Sequence, residues 1–194
     1  MLYSLTGPSA SGKTTLSREL LKRYPEMVVQ AISTTSRPPR PNETDGVDYH
    51  FISESEFTAA ITRGEFVEFA KFDGNYYGLR RSDIEKAIAA DIGIVIVEQN
   101  GRNKLKDVYG DDIRCVHIGI QPGRALTRLI KRNGWGKAKK RIKADEDNGL
   151  YSTDGYDCTL KNDSTKKELV SNFMNYVESV KQWEKLYENF PKEA

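Results

Sequence analysis

Residues 7–14 read Gly-Pro-Ser-Ala-Ser-Gly-Lys-Thr and satisfy the spacing G-x-x-x-x-G-K-[ST]. The chemistry served by that spacing is phosphate binding. Gly7 and Gly12 permit the unusual dihedrals and close backbone approach that turn loop N–H groups inward, those of Ser9, Ala10 and Ser11 among them. Lys13 is expected to reach the β- and γ-phosphates of a nucleoside triphosphate, and Thr14 to set its hydroxyl on Mg²⁺, with Thr15 following on the helix that the loop opens. Such a loop specifies a phosphoryl donor and leaves the acceptor open.

A second candidate lies at residues 33–49, Ser-Thr-Thr-Ser-Arg-Pro-Pro-Arg-Pro-Asn-Glu-Thr-Asp-Gly-Val-Asp-Tyr. Arg37 and Arg40 are three apart and stiffened by Pro38, Pro39 and Pro41. Two guanidinium groups so placed make a fork for one phosphate, because each offers bidentate donors. Read alone, the same stretch is equally a solvated basic loop.

These groups need elements to position them. Leu2–Thr6 reads as a buried strand running into the glycine loop. A helix over Lys13–Arg23 carries Leu16, Leu20 and Leu21 on one side, with Pro25 past its end. Val28–Ile32 reads as a strand, and 33–50 as an ordered loop or small subdomain. Ser53–Glu56 is a capping box with Ile52 and Phe57 at the staple positions, opening a helix that stops at Gly64. Phe66–Phe72 reads as a strand, and Ser82–Glu85 as a second capping box for a helix to Ala90. Ile92–Val97, rich in β-branched residues, is expected as a central parallel strand. A helix near Asn103–Tyr109, a strand at Arg114–Ile120, helices near Arg124–Arg132 and Lys137–Asp147, and a strand near Cys158–Leu160 follow. A last helix carries Leu169, Phe173, Tyr176, Val177, Val180 and Trp183 at 3-and-4 spacing. Strands alternating with helices imply an α/β fold around a mainly parallel sheet.

The 194 residues suit one domain with insertions. A net charge of +2 gives no support to general nucleic-acid binding. The longest apolar run, Ile92–Val97, is far short of the roughly 20 residues that span a membrane, and no secretory leader is visible, so a cytoplasmic location is expected. Cys115 and Cys158 have neither disulfide nor metal-ligand spacing and read as buried, reduced thiols. His117 reads as structural, and neither it nor His50 is needed as a catalyst.

The stretches GPSASGKTTL, STTSRPPRPNETDGVDYHF and GEFVEFAKFDGNYYG, with YDCTLKND at 156–163 matching more loosely, resemble guanylate kinase along essentially the whole chain. The resemblance implies an α/β P-loop three-layer fold forming one domain. Its core would be 1–32, 82–127 and 148–194, with an inserted GMP-binding subdomain at about 33–81 and a short helical lid at about 128–147. It implies Mg²⁺-dependent transfer from ATP to GMP, and dGMP as a further acceptor. Ser33, Arg37, Arg40, Tyr49 and Tyr77 match positions that hold the GMP phosphate, and Glu43 one that orders the arginines. Glu68 matches the carboxylate that reads the guanine edge, accepting from N1–H and the exocyclic amine. Arg128, Arg132 and Arg141 match lid arginines that would join Lys13 and Arg37 in stabilising the transferring group. Asn162 matches a position near the adenine. Outside these motifs Tyr49, Tyr76 and Tyr77 would be read as packing residues.

Three positions depart from the pattern. Leu79 stands where the family has Ser or Thr toward the guanine oxygen, so Glu68 alone, or a neighbour such as Arg80, would carry selectivity. Glu98 replaces an Asp and is kept as a substrate-side residue. The lid between Arg132 and Arg141 is short, contains Gly134-Trp135-Gly136 and lacks acidic residues. Two other readings stand beside the kinase: a related kinase with a different acceptor, and a non-catalytic guanylate-kinase-like module binding phosphopeptide, against which the intact Gly12-Lys13-Thr14 argues. The oligomeric state is left open.

Overall fold

The computed structural model of the chain describes residues 1–188; residues 189–194 of the expected core segment lie outside the described residues. Two compact units emerge, one of Met1–Thr6 with Leu21–Val116, the other of Gly7–Leu20 with the chain from His117 onward. The fold is α/β, with a central, mostly parallel sheet.

In the first unit, β1 (Leu2–Thr6) is buried at every residue. β2 (Val28–Ala31) and β1 both pair parallel with β7 (Ile92–Ile96). The run of β-branched residues in β7 suits a strand covered on both sides, and Ile92, Ile94 and Val95 are fully buried. In this unit the strand order is β2-β7-β1-β8, with β8 at Ile113–Gly119 running on into the second unit, where the order continues to β9 at Cys158–Lys161. A second, four-stranded sheet has the order β4-β3-β6-β5, from β3 (Thr34–Thr35), β4 (His50–Phe51), β5 (Phe66–Phe72) and β6 (Asn75–Arg80).

The capping box at Ser53 forms as expected. The Ser53 hydroxyl accepts the Glu56 N–H, and the Glu56 carboxylate accepts the Ser53 N–H, opening α2 (Glu54–Thr62). That helix presents Phe57 to the second sheet. The Phe57 ring stacks 4.3 Å from Phe66 and 5.3 Å from Tyr76, with Ile52 and Ile61 around it. Aromatic pairs of this kind contribute about 0.5–1.5 kcal/mol each beyond the area they bury. Tyr76 is therefore a packing residue.

Several expectations need correction. The second capping box does not form: α3 (Arg81–Ala89) starts a residue before Ser82, and its N-cap, Arg80, makes no side-chain cap bond. The strand β6 runs directly into the helix there, and the Arg81 N–H is held by the Glu65 carbonyl, so the helix is already under way at Ser82. β2 ends at Ala31, one residue early, and β7 at Ile96. α4 (Gln99–Tyr109) begins four residues ahead of the expected Asn103. The strands β3, β4 and β6 were not anticipated. They are short or polar, and they form through pairing with one another.

In the second unit, α1 (Lys13–Arg23) follows the glycine loop and buries Leu16 and Leu20. α5 (Pro122–Asn133) packs against α6 (Trp135–Asp147), and α7 (Lys166–Glu188) against β9. On α7 the apolar stripe Leu169, Val170, Phe173, Val177 and Val180 is buried, but Trp183 is 68% exposed, so the stripe ends one turn before the expected limit. Neither cysteine is in a disulfide; Cys115 is buried and Cys158 only half-buried. His117 is structural: it is buried, its Nε2 lies 3.0 Å from the Leu150 carbonyl, and its ring rests on Tyr156.

Candidate active site

The glycine loop lies within the second unit, and each of its departures from ordinary backbone has a local cause. Gly7 has φ +132°, and a side chain there would strike the Ile118 carbonyl at 2.3 Å. Gly12 has φ +103°, and a Cβ would meet Asn162 Nδ2 at 2.3 Å. Both positions accept only glycine. Helix geometry leaves the first N–H groups of α1, from Lys13 on, without intrahelical partners, so they face the loop with the positive end of the dipole. Lys13 folds back, its ammonium donating to the carbonyls of Gly7 at 2.6 Å and Pro8 at 3.0 Å.

An open cleft of about 400 Å³ lies against this loop, lined by Ala10, Gly12, Lys13, Thr14, Thr15, Arg128, Arg132, Asn162, Ser164 and Lys166. Four of these carry positive charge and none carries negative charge, which suits a polyphosphate. Asn162 braces the loop, donating from Nδ2 to the Ser11 carbonyl at 2.6 Å while its own N–H bonds to the Gly119 carbonyl. Arg128 is tied to backbone, donating to the carbonyls of Ala10 and Asn162. Arg132 lines the cleft. Arg141, Gly7, Ser9 and Ser11 do not line it, and Arg141 instead donates from Nε to the Ser9 hydroxyl at 2.7 Å.

The basic loop in the first unit is built on the second sheet. Thr35 is fully buried; its hydroxyl donates to the Tyr76 carbonyl and accepts the Arg37 N–H, which fixes where Arg37 leaves the sheet. The Ser33 carbonyl accepts the His50 N–H. Glu43 then accepts from Arg37 Nη2 at 3.0 Å and from the Arg40 N–H at 2.8 Å. The Arg37 guanidinium sits 5.6 Å over the Tyr49 ring and 5.7 Å over Phe51, and Tyr49 meets Tyr77 edge-on at 6.1 Å. Burial alone would lower the Arg37 pKa, but hydrogen bonds to Glu43 and Tyr77 reverse this and raise it. Burial likewise pushes the Glu43 carboxyl upward, and the Arg40 N–H and Arg37 outweigh it, holding it below the ordinary value. Arg40 itself is exposed.

Glu68 is half-buried on β5. Burial raises its pKa, Lys104 opposes that rise and Glu98 adds to it. In the β5–β6 register Glu68 faces Leu79 and Ala70 faces Tyr77. Facing residues and alternate residues share one side of a sheet, so Glu68 and Tyr77 are on the same side, about 7–8 Å apart on the diagonal. Gly101 leaves room beside the carboxylate, since a Cβ there would stand 3.3 Å from Glu68 Oε1. Glu98 is exposed at the N-cap of α4 and makes no side-chain cap bond.

The family model described as guanylate kinase matches residues 2–179. The chain belongs to the guanylate kinase family. It is 34% identical over 175 residues to a guanylate kinase of Thermosynechococcus vestitus, covering 88% of this chain and 90% of that one. It is 41% identical over 132 residues to one from Thermotoga maritima, covering 68% and 63%. The structure of guanylate kinase from Anaplasma phagocytophilum superposes with a TM-score of 0.64 at 23% identity, covering 100% of this chain and 96% of that one, a likeness of fold.

Against the family pattern, Leu79 is a fully buried core residue. Arg80 is engaged elsewhere, 5.9 Å over the Phe66 ring and 3.8 Å from Glu65. Three residues of interest escaped the sequence reading: Asp145, Phe51 and Lys166. Lys166 carried a usable signal, because a lysine on the first turn of a helix opposes the helix dipole and such local misfits accompany binding sites. Asp145 carried none, since Arg141 and Asp145 have the i,i+4 spacing of an ordinary surface pair.

Proposed function

We infer that the protein transfers the γ-phosphoryl group of ATP to GMP, giving ADP and GDP, with dGMP as a second acceptor. The reading is carried by one arrangement: a phosphate-binding cluster around Arg37 and a guanine-reading carboxylate, Glu68, served by a single β-hairpin. A phosphate oxygen of GMP is already anionic, so the attack needs no general base. The new bond joins that oxygen to the γ-phosphorus, and the bond from the γ-phosphorus to the β-γ bridging oxygen breaks, its electron pair leaving with ADP.

In this proposal Lys13 and the amides of the glycine loop hold the donor phosphates in the cationic cleft. Arg37, Arg40, Tyr49 and Tyr77 hold the acceptor phosphate, with Ser33 beside them and Glu43 keeping Arg37 aimed. Arg132 and Arg141 neutralise charge on the group in flight, and Arg128 acts on the loop itself. Asn162 supports the donor side and Glu98 the acceptor side. Thr14 lines the cleft, and its hydroxyl would be the protein's ligand to an Mg²⁺ carried chiefly by the ATP phosphates. When bound, Mg²⁺ would offset the charge that develops on the bridging oxygens.

We also propose the division into core, acceptor subdomain at about 33–81 and lid at about 128–147. A cytoplasmic location belongs to the same proposal. Among the described residues no helix is long and apolar enough to cross a membrane. A coupled ADP-release assay with GMP, dGMP, AMP, UMP and ribose phosphates tests the reading. GMP and dGMP should be preferred; absence of turnover with every acceptor would refute the enzyme, and preference for a non-guanine acceptor would refute the role of Glu68.

A further inference from the structure

Three consecutive residues at the crown of the glycine loop are each gripped by a side chain from a different part of the second unit. Asp145, from α6, takes Ser9. Arg128, from α5, donates to the Ala10 carbonyl at 3.0 Å, and Asn162, just past β9, donates to the Ser11 carbonyl at 2.6 Å. Asp145 makes the most complete contact of the three. One carboxylate oxygen accepts the Ser9 N–H at 2.7 Å and the other accepts the Ser9 hydroxyl at 3.0 Å. The same hydroxyl accepts from Arg141 Nε, one helical turn before Asp145, so Ser9 links the two side chains. Asp145 is only 3% exposed, on a helix whose polar residues are otherwise mostly in solvent.

The residue so enclosed on both sides, Ala10, has φ +60°, a left-handed conformation that residues with a Cβ avoid. Backbone of that kind persists only where its surroundings over-determine it. Ala10 lines the donor cleft, and a loop relaxed at this position would turn its amides away from the phosphates.

We propose that Asp145 is a positioning residue of the donor site. It clamps Ser9 so that Ala10 keeps its left-handed turn, and through the Ser9 hydroxyl it sets Arg141. Asp145 does not touch the nucleotide; it acts through the loop. The inference rests on the kinase reading only in taking ATP as the ligand, and it is tested by binding, which is independent of the acceptor.

The experiment is calorimetric titration of ATP, and separately of GMP, into the full chain and into Asp145→Asn, Ser9→Ala and Asp145→Asn combined with Ala10→Gly. Asparagine keeps the shape but sets an NH₂ group against one of the two Ser9 donors. Two charge-assisted bonds are disturbed, so the ATP dissociation constant should rise about tenfold, with GMP affinity within twofold. Ala10→Gly, which adopts the turn without strain, should recover at least part of the loss. A role confined to general stability would lower the melting temperature and leave the ATP affinity of the folded protein, and any rescue, unmoved. An ATP affinity within twofold of the parent in Asp145→Asn overturns the proposal, as does a loss that Ala10→Gly leaves untouched. Should Asp145→Asn not fold, Ser9→Ala decides: a rise of about threefold in the ATP dissociation constant supports the clamp, and an unchanged value overturns it. Failure of the parent protein to phosphorylate GMP would overturn the proposed reaction and leave this measurement intact.

Discussion

Glu43 holds Arg37 and the turn that carries Arg40 at the same time: Arg37 Nη2 lies 3.0 Å from one carboxylate oxygen and 2.9 Å from the other, and the second also accepts the Arg40 N–H. The Arg37 side chain is only 12% exposed and the Glu43 side chain 18%, so the pair is shielded more than a surface ion pair. Its value lies in aim. Without Glu43, Arg37 would keep its contacts with the Tyr49 and Phe51 rings but lose its ionic partner, and binding would bear more of the entropy of ordering it. Glu43→Gln is expected to raise KM for GMP about tenfold and to leave KM for ATP unchanged, measured by steady-state kinetics. The folded pKa of Glu43 is lowered, so its contribution to stability is present above pH 4.5 and is lost as pH falls below that toward the folded value. Thermal melts across that range should fall less steeply in Glu43→Gln.

The pKa of Glu68 is shifted the other way. Burial raises its pKa above the ordinary 4.5, so it takes up a proton earlier than an exposed glutamate as pH falls. A protonated carboxyl cannot accept from both N1–H and the amine of guanine. KM for GMP should therefore climb on acidification from a pH above 4.5, and Glu68→Gln should lose this dependence. The same variant should lower kcat/KM for GMP about 10- to 100-fold, the worth of a charge-assisted bond, with AMP turnover unaffected. Unaltered preference for GMP in Glu68→Gln would contradict the base-reading role.

Gly12→Ala combines a disfavoured dihedral with a clash, because the new Cβ would come 2.3 Å from Asn162 Nδ2. Asn162 would then release the Ser11 carbonyl. ATP binding should be lost by calorimetry while GMP binding persists. Lys13→Ala is expected to abolish transfer and likewise leave GMP binding measurable. Equal loss of both ligands in a folded Lys13→Ala protein would contradict the division into donor and acceptor residues.

Phe57 connects stability to the acceptor side. Its fully buried ring stacks on Phe66 and Tyr76, at either side of the hairpin that carries Glu68 and Tyr77. Phe57→Ala should cost about 3–5 kcal/mol in chemical denaturation. Below its melting temperature it should raise KM for GMP more than KM for ATP.

How much could be read from residue order depended on how local the cause was. The strand, loop and helix at residues 2–23 were legible because glycine, lysine and a leucine stripe act within a few residues of one another. The box at Ser53 formed, and the matching letters at Ser82 did not, because the N–H of Arg81 was already taken by the carbonyl of Glu65, the residue just ahead of β5. No window around residue 82 contains that fact. The strand at Asn75–Arg80 was hidden for a similar reason: its polar sequence becomes a strand through pairing with β5 and β3. At the candidate site, arginines and tyrosines were visible as a motif, but the residues that aim them were less so. Phe51 under Arg37 and Asp145 behind Ser9 act through contacts that span long stretches of chain.

The bond from Asn162 to Ser11 joins residues 151 positions apart. A ribosome delivers the glycine loop well before its brace, which follows 151 residues later. A nascent chain that stops short of residue 162 has every letter of the phosphate motif and lacks the contact that shapes it. If that contact is needed to hold ATP, a fragment ending before residue 162 is expected to bind the nucleotide more weakly than the full chain in calorimetric titration.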